Sequence, residues 1–165
     1  MAEALARDRL YPSLLDRLTD EDPGKQVESR EARASSMARL RESVLRDLNW
    51  LFNATQTSDD LSEYPEVASS VLNYGLPPLS GRTASSVALS DLTRQLRDML
   101  IHFEPRLIPN TVRVYAESAD EMSHNVITFR IEAQLWSQPI PLEIYMRTDM
   151  DLESGQTKVV ETKAS

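Results

Sequence analysis

The residues best suited to chemistry lie together in His102-Phe-Glu-Pro-Arg-Leu107. Glu104 falls at the expected C-terminus of a helix, where the macrodipole disfavours a negative charge. Arg106 follows two residues later and is its natural counter-ion. Pro105 and Pro109 stiffen the connection to whatever comes next. Such a corner reads in two ways. One is a docking site, because charged loops held rigidly at element ends carry contacts. The other is a surface ion pair worth at most about 1 kcal/mol. Glycoside hydrolysis would need two carboxyl groups, one with a raised pKa. Glu104 is the only acid in a special setting, and Arg106 favours its ionised form, the wrong direction for a general acid. No second carboxylate stands out, so no catalytic residue is assigned.

Composition removes other classes. The chain has 165 residues, enough for one domain, with 18 basic and 26 acidic side chains and a net charge of −8. An acidic chain is a poor match for phosphate, so no nucleic-acid partner is expected. Cysteine is absent, which excludes disulfides and thiolate metal sites and suits a reducing compartment. The two histidines, His102 and His124, have no ligand spacing, and four glycines form no phosphate-cradling loop. No metal or cofactor is expected. No apolar run approaches the ~20 residues of a membrane span. The start MAEALARDRL lacks the apolar centre of a signal peptide. These features predict a cytoplasmic protein without membrane insertion.

Three groups of elements must position the corner. Residues 1–34 read as a flexible arm, because VESREARASS buries too little to offset its ordering entropy. Within it, Ser13-Leu-Leu-Asp-Arg-Leu18 offers a short amphipathic stretch. Next come helices. Met37, Leu40, Val44, Leu45, Leu48, Leu51 and Phe52 repeat at helical spacing, with Ser35 or Ser36 as cap. A shorter helix is predicted over 65–72 with Val67, Val71 and Leu72 inward, closed by Gly75 in a left-handed conformation. A third covers 84–103, with its stripe running from Leu89 to Phe103, and ends because Pro105 disfavours helix at the residue before it.

From residue 112 the period changes to two. Val112 to Ala116, Ile127 to Leu135 and Ile140 to Met146 alternate apolar and polar, with a connection at Ser137-Gln138-Pro139 and a fourth strand over 157–161. Arg113, Arg130, Arg147, Glu132 and Glu143 fall on the polar face, where opposite charges pair across strands. The prediction is α+β: N-terminal amphipathic helices on one face of a C-terminal antiparallel sheet of three to four strands. Residues 35–161 form that domain, and 162–165 a tail.

Four pieces of sequence, in order over roughly residues 10–150, carry a resemblance. They are Ser13-Leu-Leu-Asp-Arg-Leu18, Leu40-Arg-Glu-Ser-Val-Leu-Arg-Asp-Leu-Asn-Trp-Leu51, Val71-Leu-Asn-Tyr-Gly-Leu-Pro77 and Phe103-Glu-Pro-Arg-Leu107. Together they resemble the TssE family of type VI secretion baseplate subunits, within the lysozyme-like wedge family of contractile phage tails. The resemblance implies a structural role on the cytoplasmic side of an inner-membrane secretion complex. It implies partners: the wedge subunits TssF and TssG, TssK indirectly, and the sheath subunits TssB and TssC. It assigns partner contact to Glu104, Pro105, Arg106 and Leu107. The arm residues Leu14, Leu15, Asp16, Arg17 and Leu18 are the second expected contact. It also suggests strand addition to a sheet edge within 140–161, helping to nucleate the sheath. Two alternatives share the fold: a peptidoglycan-cleaving enzyme using Glu104, and an anti-adaptor regulator of proteolysis.

Overall fold

The apolar stripes of the helices and the apolar faces of the strands meet in one core. The computed structural model describes residues 13–19, 24, 37–78, 89–117, 126–137 and 141–163. Its helices are α1 (Leu14–Leu18), α2 (Met37–Asn53), α3 (Pro65–Ala68) and α4 (Leu89–Phe103), with short 3-10 turns at Val71–Asn73 and Pro109–Thr111. The strands are β1 (Arg113–Glu117), β2 (Val126–Leu135), β3 (Leu142–Asp151) and β4 (Thr157–Glu161). They form one antiparallel sheet in sequence order. The fold is therefore α+β, as predicted.

Register explains why the sheet has one dry face. Phe129 pairs with Thr148, Ile131 with Met146 and Ala133 with Ile144. All six are buried, because side chains at every second position share a face. Onto that face α2 brings Leu40, Val44, Leu48, Leu51 and Phe52, and α4 brings Leu92, Leu96, Met99 and Leu100. Helix α2 lies along β4, and α4 lies against β1. Thr148 and Thr157 are buried in this layer, and their hydroxyls have no hydrogen-bond partner among the described residues.

The predicted helix over 65–72 is instead two short pieces. Ser69 and Ser70 cause the break. Their hydroxyls donate to the carbonyls of Pro65 and Val67, at 2.9 Å each. The Ser70 oxygen then accepts from the Leu72 amide at 3.2 Å. Serine side chains that bond locally compete with the helix ladder in this way. Val71 and Leu72 consequently face outward rather than inward, 79 % and 81 % exposed. Gly75 has φ of +121° as expected of a left-handed residue, but its main service is close approach. A Cβ there would lie 2.3 Å from the Ala54 carbonyl oxygen. That approach lets Leu76 bridge to Thr55 in parallel.

Smaller departures are Ala116 and Leu89, both exposed. The cap serines at 35 and 36, residues 84–88, His124, and positions 138–140 lie outside the described residues.

Candidate functional site

The corner after α4 is built inward. The helix stops at Phe103 ahead of Pro105, and the Leu107 amide donates to the Glu104 carbonyl at 3.1 Å, closing a turn. This turn folds the Arg106 guanidinium back onto the Glu104 carboxylate. Arg106 Nε donates to Oε1 and Nη2 to Oε2, both at 2.6 Å. A two-pronged pair of this kind is directional and strong. Glu104 is only 3 % exposed. Pro105 is exposed, and Leu107 is buried and bridges to Leu135.

Arg106 then ties the corner to α2. Its Nη2 donates to Asp47 Oδ2 at 2.7 Å, and its Nη1 to Ser43 Oγ at 3.0 Å. Burial pushes the guanidinium pKa down, but the bonds to Glu104 and Asp47 outweigh it and raise the pKa. Arg46 continues the chain of charge. It donates to Asp47 Oδ1 and, from Nη1 at 2.6 Å, to Asp16 Oδ1. Ser43 Oγ donates to Asp16 Oδ2 at 2.6 Å. The result is an alternating run, Glu104–Arg106–Asp47–Arg46–Asp16, with Ser43 bonded to Asp16, Arg46 and Arg106.

Asp16 belongs to α1, so this run fastens the arm to the domain. Ser13 caps α1, accepting from the Asp16 amide and donating to its carboxylate. Burial raises the Asp16 carboxyl pKa, yet bonds from Arg46, Ser43 and Ser13 overcome that and hold it well below the ordinary range. Arg46 also lies over the Trp50 ring, 5.3 Å from its centroid. With its polar side tied down, α1 shows its apolar side to solvent. Leu14 is 69 %, Leu15 43 % and Leu18 73 % exposed. Arg17 occupies the same helix.

Tyr74 brings the last piece in. Its ring meets Phe103 edge-on at 5.2 Å. Burial, with Asp47 and Glu104 close by, pushes its phenol pKa up. The four pieces of sequence that carried the resemblance therefore converge on one place.

Several expectations meet a different geometry here. Glu104 and Leu107, expected at a partner contact, are buried: one is an internal counter-ion and the other is core. The Glu104–Arg106 pair is not an exposed surface bridge either. The Glu104 carboxylate has both oxygens on Arg106, so the hydrolase alternative loses its acid. On the polar sheet face, Arg130 meets Glu132 at 3.1 Å and Arg147 meets Asp149 at 3.2 Å. Each of these pairs lies within one strand, and the cross-strand contact of Arg130 with Glu117 is longer, at 3.8 Å. Arg130 also sits over the Tyr115 ring.

The β4 edge is also closed over part of its length. Asn49 and Asn53 of α2 each grip its backbone with both ends of the amide. Asn49 donates to the Val159 carbonyl and accepts from its amide, at 3.2 and 3.1 Å. Asn53 does the same at Thr157, at 2.7 and 3.0 Å. Helix positions four apart are separated by about 6 Å, and strand positions two apart by about 7 Å, so the two ladders match. Strand addition along Thr157–Val159 is thereby blocked.

Sequence reasoning missed Ser43, Arg46, Asp47, Asn49 and Asn53. A signal existed: Ser43 and Asp47, and Asn49 and Asn53, are polar pairs four apart beside the apolar stripe. Asparagine is also a weak helix former, so two within one helix ask for a reason.

Among the described residues no helix is long and apolar enough to cross a membrane, and no cluster of acids and histidines forms a metal site. No curated protein and no solved structure matches the chain. The family model described as baseplate wedge protein gp25 matches residues 38–140. That span holds all of α2 but its first residue, the Tyr74 turn, the Glu104–Arg106 corner and the first two strands, more than half of the chain, so the protein belongs to the gp25 baseplate wedge family.

Proposed function

We propose that this protein is a TssE-type subunit in the baseplate of a type VI secretion machine, held in the wedge by TssF and TssG. Membership of the baseplate wedge family supports a structural role in a phage-tail-like assembly. The observation that carries the finer reading is the inverted dress of α1. A short amphipathic helix is bolted down by Asp16 and leaves Leu14 and Leu18 in water. Exposed apolar surface of this kind, held in place by charge, marks an interaction site.

In this reading Arg106 and Glu104 position the contact rather than form it. They hold Ser43, Asp47 and Arg46 in the arrangement that seats α1. The partner meets Leu14, Leu15 and Leu18, with the exposed Pro105 at the corner. Arg17 lies in the same helix. Because α2 covers β4, any strand contact with the sheath subunits TssB and TssC falls toward β1. TssK is reached through the wedge, on the cytoplasmic side of the inner-membrane complex.

The test is co-expression with TssF and TssG, comparing wild type with the double variant Leu14→Asp, Leu18→Asp. We expect capture by the wild type and its loss in the variant, with the melting temperature unchanged. Wild-type protein that captures neither subunit overturns the reading and returns attention to the anti-adaptor alternative.

A further inference from the structure

The Val71–Leu72 turn has no part in the network described above, although it belongs to a piece of sequence that points to the family. Both side chains are about four-fifths exposed. Their backbone is nonetheless braced from several directions. Ser70 caps the Leu72 amide. The Asn73 side chain accepts from the Thr57 amide at 3.1 Å and donates to the Ala68 carbonyl at 3.1 Å. His102 Nε2 bonds the Ser69 carbonyl; a carbonyl only accepts, so this nitrogen carries the proton. Gly75 presses the exit of the turn onto Ala54. Two large apolar side chains are thus held outward on a rigid support, the arrangement that lowers the ordering cost of binding.

The segment that carries the turn holds charge of one sign. Residues 54–78 contain Asp59, Asp60, Glu63 and Glu66 and no lysine or arginine. All four acids are exposed. Asp59 is tied to Thr57, whose amide meets Asn73, and Glu66 lies in α3, which packs on the turn. Two side chains cover far less than the ~1,200 Å² of a stable binary interface. This knob therefore suits a neighbour already held elsewhere in an assembly. A second copy of this chain would bring the same acids against its own, which disfavours self-association here.

We infer that the Val71–Leu72 knob is a second docking point, which inserts into an apolar pocket rimmed by lysine or arginine on another baseplate subunit. This rests on the assembly role proposed above. The experiment places a photo-crosslinking benzoylphenylalanine at position 72 in one sample and at position 18 in another, in cells assembling the complete machine. We expect crosslinks from 72 to a baseplate subunit other than this chain, at a peptide containing apolar and basic residues. Leu72→Asp should clearly reduce incorporation of the protein into baseplates, and the double reversal Glu63→Lys, Glu66→Lys should reduce it to a smaller extent. The melting temperature should be unchanged in both. Crosslinks from 18 with none from 72 overturn this docking point alone. Crosslinks from neither position overturn the assembly role as well. Capture of a second copy of this chain, or of a pocket rimmed by acids, overturns the stated partner. If Leu72→Asp fails to fold, Val71→Ser with Leu72→Ser serves; undisturbed incorporation of a folded variant refutes the knob.

Discussion

Helix α2 is fastened on two sides by different chemistry. Toward β4 it uses neutral amides, Asn49 and Asn53, matched to backbone groups. Toward α1 and the corner it uses charges: Arg46 and Asp47, with Ser43 between them. Neutral clasps are indifferent to salt and to moderate pH. Charged clasps feel both, and they fail badly when one member is removed. The amide side joins parts that belong to one core. The charged side joins α2 to α1, whose leucines are exposed, and to the corner after α4. One helix thus ties itself to the sheet with neutral bonds and to α1 and the corner with charged ones.

The sharpest way to break the charged side is at its buried end. Arg106→Ala leaves the Glu104 carboxylate buried without its counter-ion. We expect a loss of about 3–5 kcal/mol in chemical denaturation. An unchanged midpoint would show that the corner is held by Pro105 and Leu107 alone. Leu48→Ala, in the fully buried stripe that both sides share, should cost about 2–5 kcal/mol in the same assay. On the neutral side, Asn49→Ala strands the amide and carbonyl of Val159. It should cost about 1–3 kcal/mol and raise amide exchange along β4.

The exposed end of the charged run predicts a smaller effect. Asp16→Asn should release α1 at a cost of about 1 kcal/mol, read as faster proteolysis near residues 13–19. The pH dependence follows from the depressed Asp16 carboxyl. The contribution of this tie is complete above the ordinary carboxylate value of 3.8. It is lost only as pH falls through the lower, folded value. Seating of α1 should therefore persist at pH 4 and weaken under stronger acid. At about 1 M salt, where screening reaches within about 3 Å, exchange in α1 should rise more than exchange in β4. Thr148→Val carries the opposite sign. Removing a buried hydroxyl that has no partner among the described residues should be neutral or stabilising by up to about 1 kcal/mol.

Apolar spacing was enough to read the architecture. Leu40 to Phe52 and Ile127 to Leu135 repeat with periods that only one element type satisfies, and their order implies helices covering a sheet. The corner was visible as a place where local rules conflict, because Glu104 opposes the helix dipole. Its direction was not visible. Whether an ion pair points outward or inward depends on what another element offers, and Ser43 and Asp47 lie about 60 residues away in sequence. The same holds for α1. Its leucines were legible, but the tie through Asp16 needs Arg46 of α2. At 65–72 propensity misled, since the two serines that break the helix act through side-chain bonds that apolar periodicity does not register.

The amide grip on β4 also bears on self-association. Growth of strand upon strand into a fibre needs a sheet that is receptive on both sides. Here the Thr157–Val159 stretch of one side is closed within the same molecule by Asn49 and Asn53. A fibre built through that stretch would first have to break the four amide bonds that hold it. The protein thus carries its own brake on strand-by-strand growth along this stretch of the sheet.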